Sequence, residues 1–252
     1  MKNTKTNVNY ENNCNDEIND EKNHLSLQVN SQLYGISKQI SQGDNGTQIE
    51  QDGRMEEVTT RLRSCCETFH TISGRGESSL SEQEIESHSA ELYAKENNIW
   101  IPINEVLDLG VQGQSGNEND TYFSSDGYVY KVNNLMNSGS IISLFERLSL
   151  HNSIFPETAY TLVGFTGFEG RNIFPILKQR VVNHPTIATP SEIENYMISL
   201  GFIKVNNSTY KNKNIIISDL QSRNVLKDDD GDIYVVDAEF EIICIDNVLE
   251  SS

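Results

Sequence analysis

Two segments in the C-terminal third of the 252-residue sequence place polar side chains at spacings that suit chemistry. The first reads Ile216-Ile-Ser-Asp219-Leu-Gln-Ser-Arg-Asn224-Val-Leu and the second Ile233-Tyr-Val-Val-Asp237-Ala-Glu-Phe. An Asp, an Asn five residues on, an apolar pair, a hairpin signal, an apolar strand and a second Asp form one composite pattern. Asn224 and Asp237 offer hard oxygen donors of the kind Mg²⁺ takes. Upstream, Gly110-Val-Gln-Gly113-Gln-Ser-Gly116 can present backbone amides to a phosphate chain. Each piece also has an ordinary alternative. A Gly-rich stretch can be a flexible turn, a strand lysine such as Lys131 a solvated edge residue, and an Asp-Gly pair a turn without function.

Positioning these groups requires a succession of short elements. Ser81-Glu-Gln-Glu84 is a capping box that opens a helix running to about Glu96, and Asn97-Asn98 ends it. Ile99 to Leu109 leads, as a strand, into the Gly-rich loop. Thr121–Ser124 and Tyr128–Val132 are β-rich and flank Ser125-Asp126-Gly127, a hairpin turn. Ser140–His151 is apolar at helical spacing, and Glu146 is the acid it carries. Thr158–Phe165 and Asn172–Val182 read as strands. Ser191–Leu200 reads as a short helix with Ser191 as N-cap. Asn214–Ile217, Asn224–Lys227 and Ile233–Val236 read as short strands, the last two joined by Asp-Asp-Asp-Gly.

The Asp219–Asn224 and Asp237 segments resemble the protein-kinase fold, whose catalytic loop has the form D-x-x-x-x-N and whose metal-binding Asp follows a short hairpin. Lys131-Val-Asn-Asn-Leu, His151 to Phe165 and Ile176-Leu-Lys-Gln179 extend the likeness over roughly residues 95–245. It is then similar to the Ser/Thr/Tyr kinase-like domains of bacterial polyvalent proteins from phages and mobile elements. The resemblance implies an α+β, minimal bilobal fold with a β-rich N-lobe over about 99–183 and a reduced C-lobe over about 184–252. It also implies ATP and Mg²⁺ as cofactors. Gly110, Gly113 and Gly116 would cover the triphosphate, and Lys131 would bind the α- and β-phosphates while paired with Glu146. Asp219 would take the proton of the attacking hydroxyl, Asn224 and Asp237 would hold the metal, and the strand ending at Gln179 would meet adenine through its backbone. Phosphoryl transfer needs positioning and charge neutralisation more than covalent help, which suits this set.

The departures bear on function. Ile217-Ser218 stand where the family has His-Arg, and Ala238-Glu239 where it has Phe-Gly. With 15 residues after Asp237, the sequence is expected to lack an activation segment and peptide-docking helices. The primary expectation is an ATP- and Mg²⁺-dependent phosphotransferase acting on an unidentified protein acceptor. A nucleotide-binding pseudokinase serving as an interaction module is the alternative, and small-molecule phosphorylation a third, for which a larger helical substrate pocket would be expected.

Composition bounds the rest. There are 37 acidic and 19 basic side chains, for a formal net charge of −18, so no basic face for nucleic acid is expected. No stretch approaches a membrane span and residues 1–20 lack a signal-peptide core. Cys14, Cys65, Cys66 and Cys244 have no metal or disulfide spacing, which points to a reducing cytoplasm, with Cys244 a buried thiol. Only Tyr10, Tyr34 and Phe69 of the aromatic residues precede position 75. Residues 1–75 therefore read as a leader, disordered over 1–24 and weakly helical around Met55–Phe69, where Val58, Leu62 and Cys65 recur at helical spacing. Residues 76–252 read as the domain. Asp228-Asp-Asp-Gly-Asp232 suits a solvated hairpin tip better than a Ca²⁺ loop. His151 and His184 suit capping or packing.

Overall fold

The fold is known from a computed structural model, which describes residues 53–73 and 81–243. The expectations for residues 1–24, Cys14 and Cys244 lie outside the described residues. What is described is mixed α+β, with three antiparallel sheets and four α-helices. No described helix is long and apolar enough to cross a membrane.

Helix α1, Arg54–Ser73, lies in the stretch read as leader. Its Met55, Val58 and Leu62 fall on one face and are buried among residues of the main core. Its Arg54 Nη1 donates to the carbonyl of Leu162 at 3.1 Å. This helix is therefore part of the domain: three apolar side chains at helical spacing were enough to dock it. Helix α2, Glu82–Glu96, opens on the expected capping box. The Ser81 hydroxyl accepts from the amide of Glu84 and the Glu84 carboxylate accepts from the amide of Ser81. It ends at Asn97, followed by Asn98 in the left-handed region at φ 55°.

The run 99–109 is not a strand. Trp100 makes one bridge to Phe165, and from Ile103 to Leu109 the chain turns through a 3₁₀ helix. Pro102 stands immediately before it and has no amide hydrogen to give to a ladder. The largest sheet comprises β1 (Val111–Gln112), β2 (Asn119–Phe123), β3 (Tyr128–Asn133), β4 (Thr161–Gly167) and β5 (Ile173–Arg180). Its order is β1-β2-β3-β5-β4, antiparallel throughout. Helix α3, Ile141–Ile154, connects β3 to β4 and packs Leu144, Phe145 and Leu148 against Leu162, Phe165 and Leu177.

The remainder of the domain has its own core around Met197, Tyr210, Ile217, Val225 and Val235. Helix α4, Pro190–Ser199, is capped by Thr189, not Ser191, because Thr189 and Glu192 complete a second capping box with Pro190 at the first helical position. Strands β6 (Thr186–Ile187), β10 (Val225–Lys227) and β11 (Ile233–Val235) form one small sheet. Strands β7 (Ile203–Asn206), β8 (Thr209–Asn212), β9 (Ile215–Ser218) and β12 (Glu239–Ile242) form another, ordered β12-β9-β8-β7.

Candidate active site

Lys131 sits in the middle of β3, between Thr121 of β2 and Leu177 of β5. It is buried, and its ammonium crosses from the large sheet to the C-terminal half of the domain. Nζ donates to the Tyr160 hydroxyl at 2.8 Å and to the carbonyl of Val236 at 3.2 Å. The Tyr160 hydroxyl in turn donates to the same carbonyl at 2.8 Å. Burial lowers the lysine's pKa, and the charge of Asp237, next in sequence to Val236, opposes that shift. The same burial pushes the Tyr160 hydroxyl well above its ordinary value, so it is neutral and can donate.

The Asp219 loop is tied to this point through the backbone. The β10–β11 hairpin sets Val225 opposite Val235, and the amide of Val236 donates to the carbonyl of Asn224 at 2.9 Å. Asn224 is buried, and its Nδ2 donates to both the carbonyl and the carboxylate Oδ2 of Asp219, each at 2.8 Å. Asp219 adopts φ 57°, a left-handed conformation that Asp tolerates better than most residues. Its carboxylate also accepts from Gln221 at 2.7 Å and from Nη2 of Arg223 at 3.0 and 3.1 Å. Pairing of β9 with β12 sets Ser218 opposite Glu239, which brings the start of the Asp219 loop beside the Asp237 segment. Lys131, Asn224 and Asp219 are thus joined by a short chain of hydrogen bonds through Val236, and Asp237 follows Val236 directly.

Of the Gly-rich stretch, Gly113 and Gly116 lie in the tip of the β1–β2 hairpin, while Gly110 directly precedes β1. A Cβ at Gly110 would lie 2.4 Å from the Phe123 carbonyl oxygen, so that position needs glycine to let the hairpin close, whereas one at Gly113 would lie 2.7 Å from the Thr121 hydroxyl, a side chain that would have to shift. The amides of Gly113 and Gly116 are spent inside the hairpin, on Thr121 and Asn119 carbonyls at 2.8 and 2.9 Å. Gln179 is buried, and its side chain donates to the Thr158 carbonyl at 2.7 Å. It lies just past the end of β4, whose Thr161 pairs with Lys178.

Glu146 does not meet Lys131. It pairs with Arg63 of α1, on the other side of α3. The α3 residue that reaches the site is the next one, Arg147. Its Nη2 contacts both carboxylate oxygens of Glu118 at 2.8 and 3.0 Å, and its Nη1 contacts Glu239 at 2.8 Å. The physical reason lies in helix geometry: Leu144, Arg147, Leu148 and His151 share one face and line a cavity of about 10 Å³ with Asp237 and Tyr160. The sequence carries that spacing, and it places Arg147 rather than Glu146 on the face with Leu144, Leu148 and His151. His151, buried on the same face, has its pKa lowered to about 3 by burial and by the Lys131 charge. Its Nε2 lies 3.1 Å from the Thr158 carbonyl, which can only accept, so Nε2 carries the proton of the neutral ring.

The residues present fit a divalent cation held with phosphates. The Asp237 carboxylate is half-buried and accepts no hydrogen bond from a described residue. No group of three or more His, Cys, Asp or Glu side chains able to hold a metal occurs among the described residues. One carboxylate and one amide oxygen leave the other positions to water and substrate phosphates, which is how Mg²⁺ is commonly bound.

No curated protein and no solved structure matches the chain. The profile of the Serine/Threonine/Tyrosine kinase found in polyvalent proteins matches residues 83–243, a span that holds every site residue described above and leaves α1 outside. With most of its length under that profile, the chain belongs to the family of Serine/Threonine/Tyrosine kinases found in polyvalent proteins.

Proposed function

We propose that the protein is an ATP- and Mg²⁺-dependent phosphotransferase of the protein Ser/Thr/Tyr kinase type, folded as a reduced two-lobed kinase. The observation that carries the reading is the position of the Lys131 ammonium, bonded to the Val236 carbonyl beside Asp237 while the Val236 amide holds Asn224. A buried ammonium is costly unless it has work that compensates, and triphosphate oxygens are better partners for it than a tyrosine hydroxyl. Lys131 would bind the α- and β-phosphates under the β1–β2 hairpin, and the backbone around Gln179 would meet adenine. Asn224 and Asp237 would hold Mg²⁺, which would neutralise phosphate charge. Asp219 would accept the proton of the acceptor hydroxyl as that oxygen bonds to the γ-phosphorus and the bond to the ADP oxygen breaks. For this Asp219 must release Arg223, and because Arg223 is largely exposed the separation costs little.

The test is incubation with γ-labelled ATP and Mg²⁺, alone and with host lysate, beside an Asp219→Asn control. Label transferred by the wild type and lost in the control supports the reading; no transfer and no nucleotide binding overturns it. A second reading, a nucleotide-binding pseudokinase acting as an interaction module, draws on the four hydrogen bonds that the Asp219 carboxylate already accepts. Nucleotide binding without transfer to any acceptor would favour it.

A further inference from the structure

We propose that Arg147 is a positioning residue of the nucleotide site, clamping the end of the Gly-rich hairpin to the strand that follows Asp237. The proposal rests on the nucleotide-binding reading above. Arg147 is 12 % exposed at its side chain and Glu118 7 %, so this is an interior charge pair, with the single nitrogen Nη2 shared between both oxygens of Glu118. Glu118 ends the loop between β1 and β2, and it also accepts from Asn137 Nδ2 and Ser138 Oγ, each at 3.3 Å, in the connection that follows β3. The second arm of the guanidinium reaches Glu239, which opens β12 two residues after Asp237 and is 42 % exposed. One side chain on α3 therefore joins three parts of the site: the hairpin over the phosphates, the strand end beyond Lys131, and the Asp237 segment.

Two features separate this from a surface ion pair. The fork of Arg147 spans two carboxylates in different directions, which a point charge cannot do. Its Nε is buried without a hydrogen-bond partner and the side chain lines the cavity beside Asp237, so the group is held there by the two carboxylates alone. Removing one carboxylate would release one side of the clamp and leave the other in place. Glu239 is the breakable arm, since it is half-exposed and its loss strands no buried charge. Glu118 is the anchored arm.

The experiment is a double-mutant cycle read by calorimetric titration of Mg·ATP into the full chain, with melting curves as a control. Glu239→Gln should melt close to wild type yet bind Mg·ATP about 5- to 10-fold more weakly, a shift that a merely structural pair at the surface would not produce. Arg147→Lys keeps a charge for Glu118 but loses the second arm, and should weaken binding by a similar factor. The double variant should bind no more weakly than either single. If Arg147→Lys melts below the working temperature, Arg147→Gln replaces it in the cycle with the same expectation. Additive losses would overturn the clamp, because Glu239 would then act on the metal or nucleotide directly. Unchanged binding by Glu239→Gln would overturn it as well while leaving the nucleotide reading intact. A wild type that binds no Mg·ATP would remove both.

Discussion

Replacing Lys131 by Met separates two roles that a buried lysine can have. The substitution keeps the apolar stem and removes the ammonium. Taking a charge of this kind out of water costs several kcal/mol. Against this the folded protein sets two hydrogen bonds, worth about 1.5–3 kcal/mol each when the donor is charged, and the attraction of Asp237. The opposing contributions nearly cancel. The Val236 carbonyl is not orphaned either, because the Tyr160 hydroxyl still donates to it at 2.8 Å. Lys131→Met should therefore change stability by no more than about 1.5 kcal/mol in either direction. Nucleotide binding should respond differently, since a lost charge-assisted contact to phosphate corresponds to about 10- to 150-fold in Kd. With Mg·ATP at about 100 times the wild-type Kd, the wild type gains about 2.7 kcal/mol from ligand, and a variant bound about 100-fold more weakly gains about 0.4. Chemical denaturation with and without Mg·ATP measures both quantities on one sample. Equal ligand stabilisation of the two proteins would refute the phosphate role. A variant that no longer folds would show that the ammonium is structural.

Leu62→Ala, in the fully buried face of α1, should lower stability by about 2–5 kcal/mol in denaturant titrations; a loss below about 0.5 would mean the helix is not part of the cooperative unit. Glu146→Gln should change stability by less than about 1 kcal/mol and leave Mg·ATP binding unchanged, because its partner Arg63 lies on the far side of α3; a defect as large as that of Lys131→Met would place Glu146 at the nucleotide after all. His151 makes acid destabilising: its folded pKa of about 3 lies below the unfolded value near 6.5, so the unfolded chain binds the extra proton between them. Stability should fall as pH drops through that window, by up to about 1.4 kcal/mol per pH unit from this one group, and His151→Gln should flatten the slope.

Much of this was legible in the sequence where a local signal fixes geometry. The Ser81–Glu84 capping box, the Asp126-Gly127 turn and the Asp219–Asn224 loop all rest on contacts between residues a few positions apart, and all three form. The strands β7, β8 and β12 are harder to read: Ile203–Asn206 is exposed throughout and shows no alternation, although it pairs with the neighbouring β8, and β12 depends on β9, a strand elsewhere in the chain. The Lys131–Glu146 pair failed for a more instructive reason. Adjacent residues on a helix point about 100° apart, so an error of one position changes the partner entirely. An acid on the helix is the simplest answer to the Lys131 charge. The structure answers Lys131 from Asp237 and the neutral acceptors Tyr160 and Val236, and spends the helix position on a second cation. Two buried cations near one another repel, and the Arg147 charge adds to burial in lowering the Lys131 pKa. Glu118, buried beside Arg147, and the more exposed Glu239 neutralise it and offset that repulsion. Pairwise charge complementarity does not point to this arrangement; the helical face shared with Leu144, Leu148 and His151 points to Arg147.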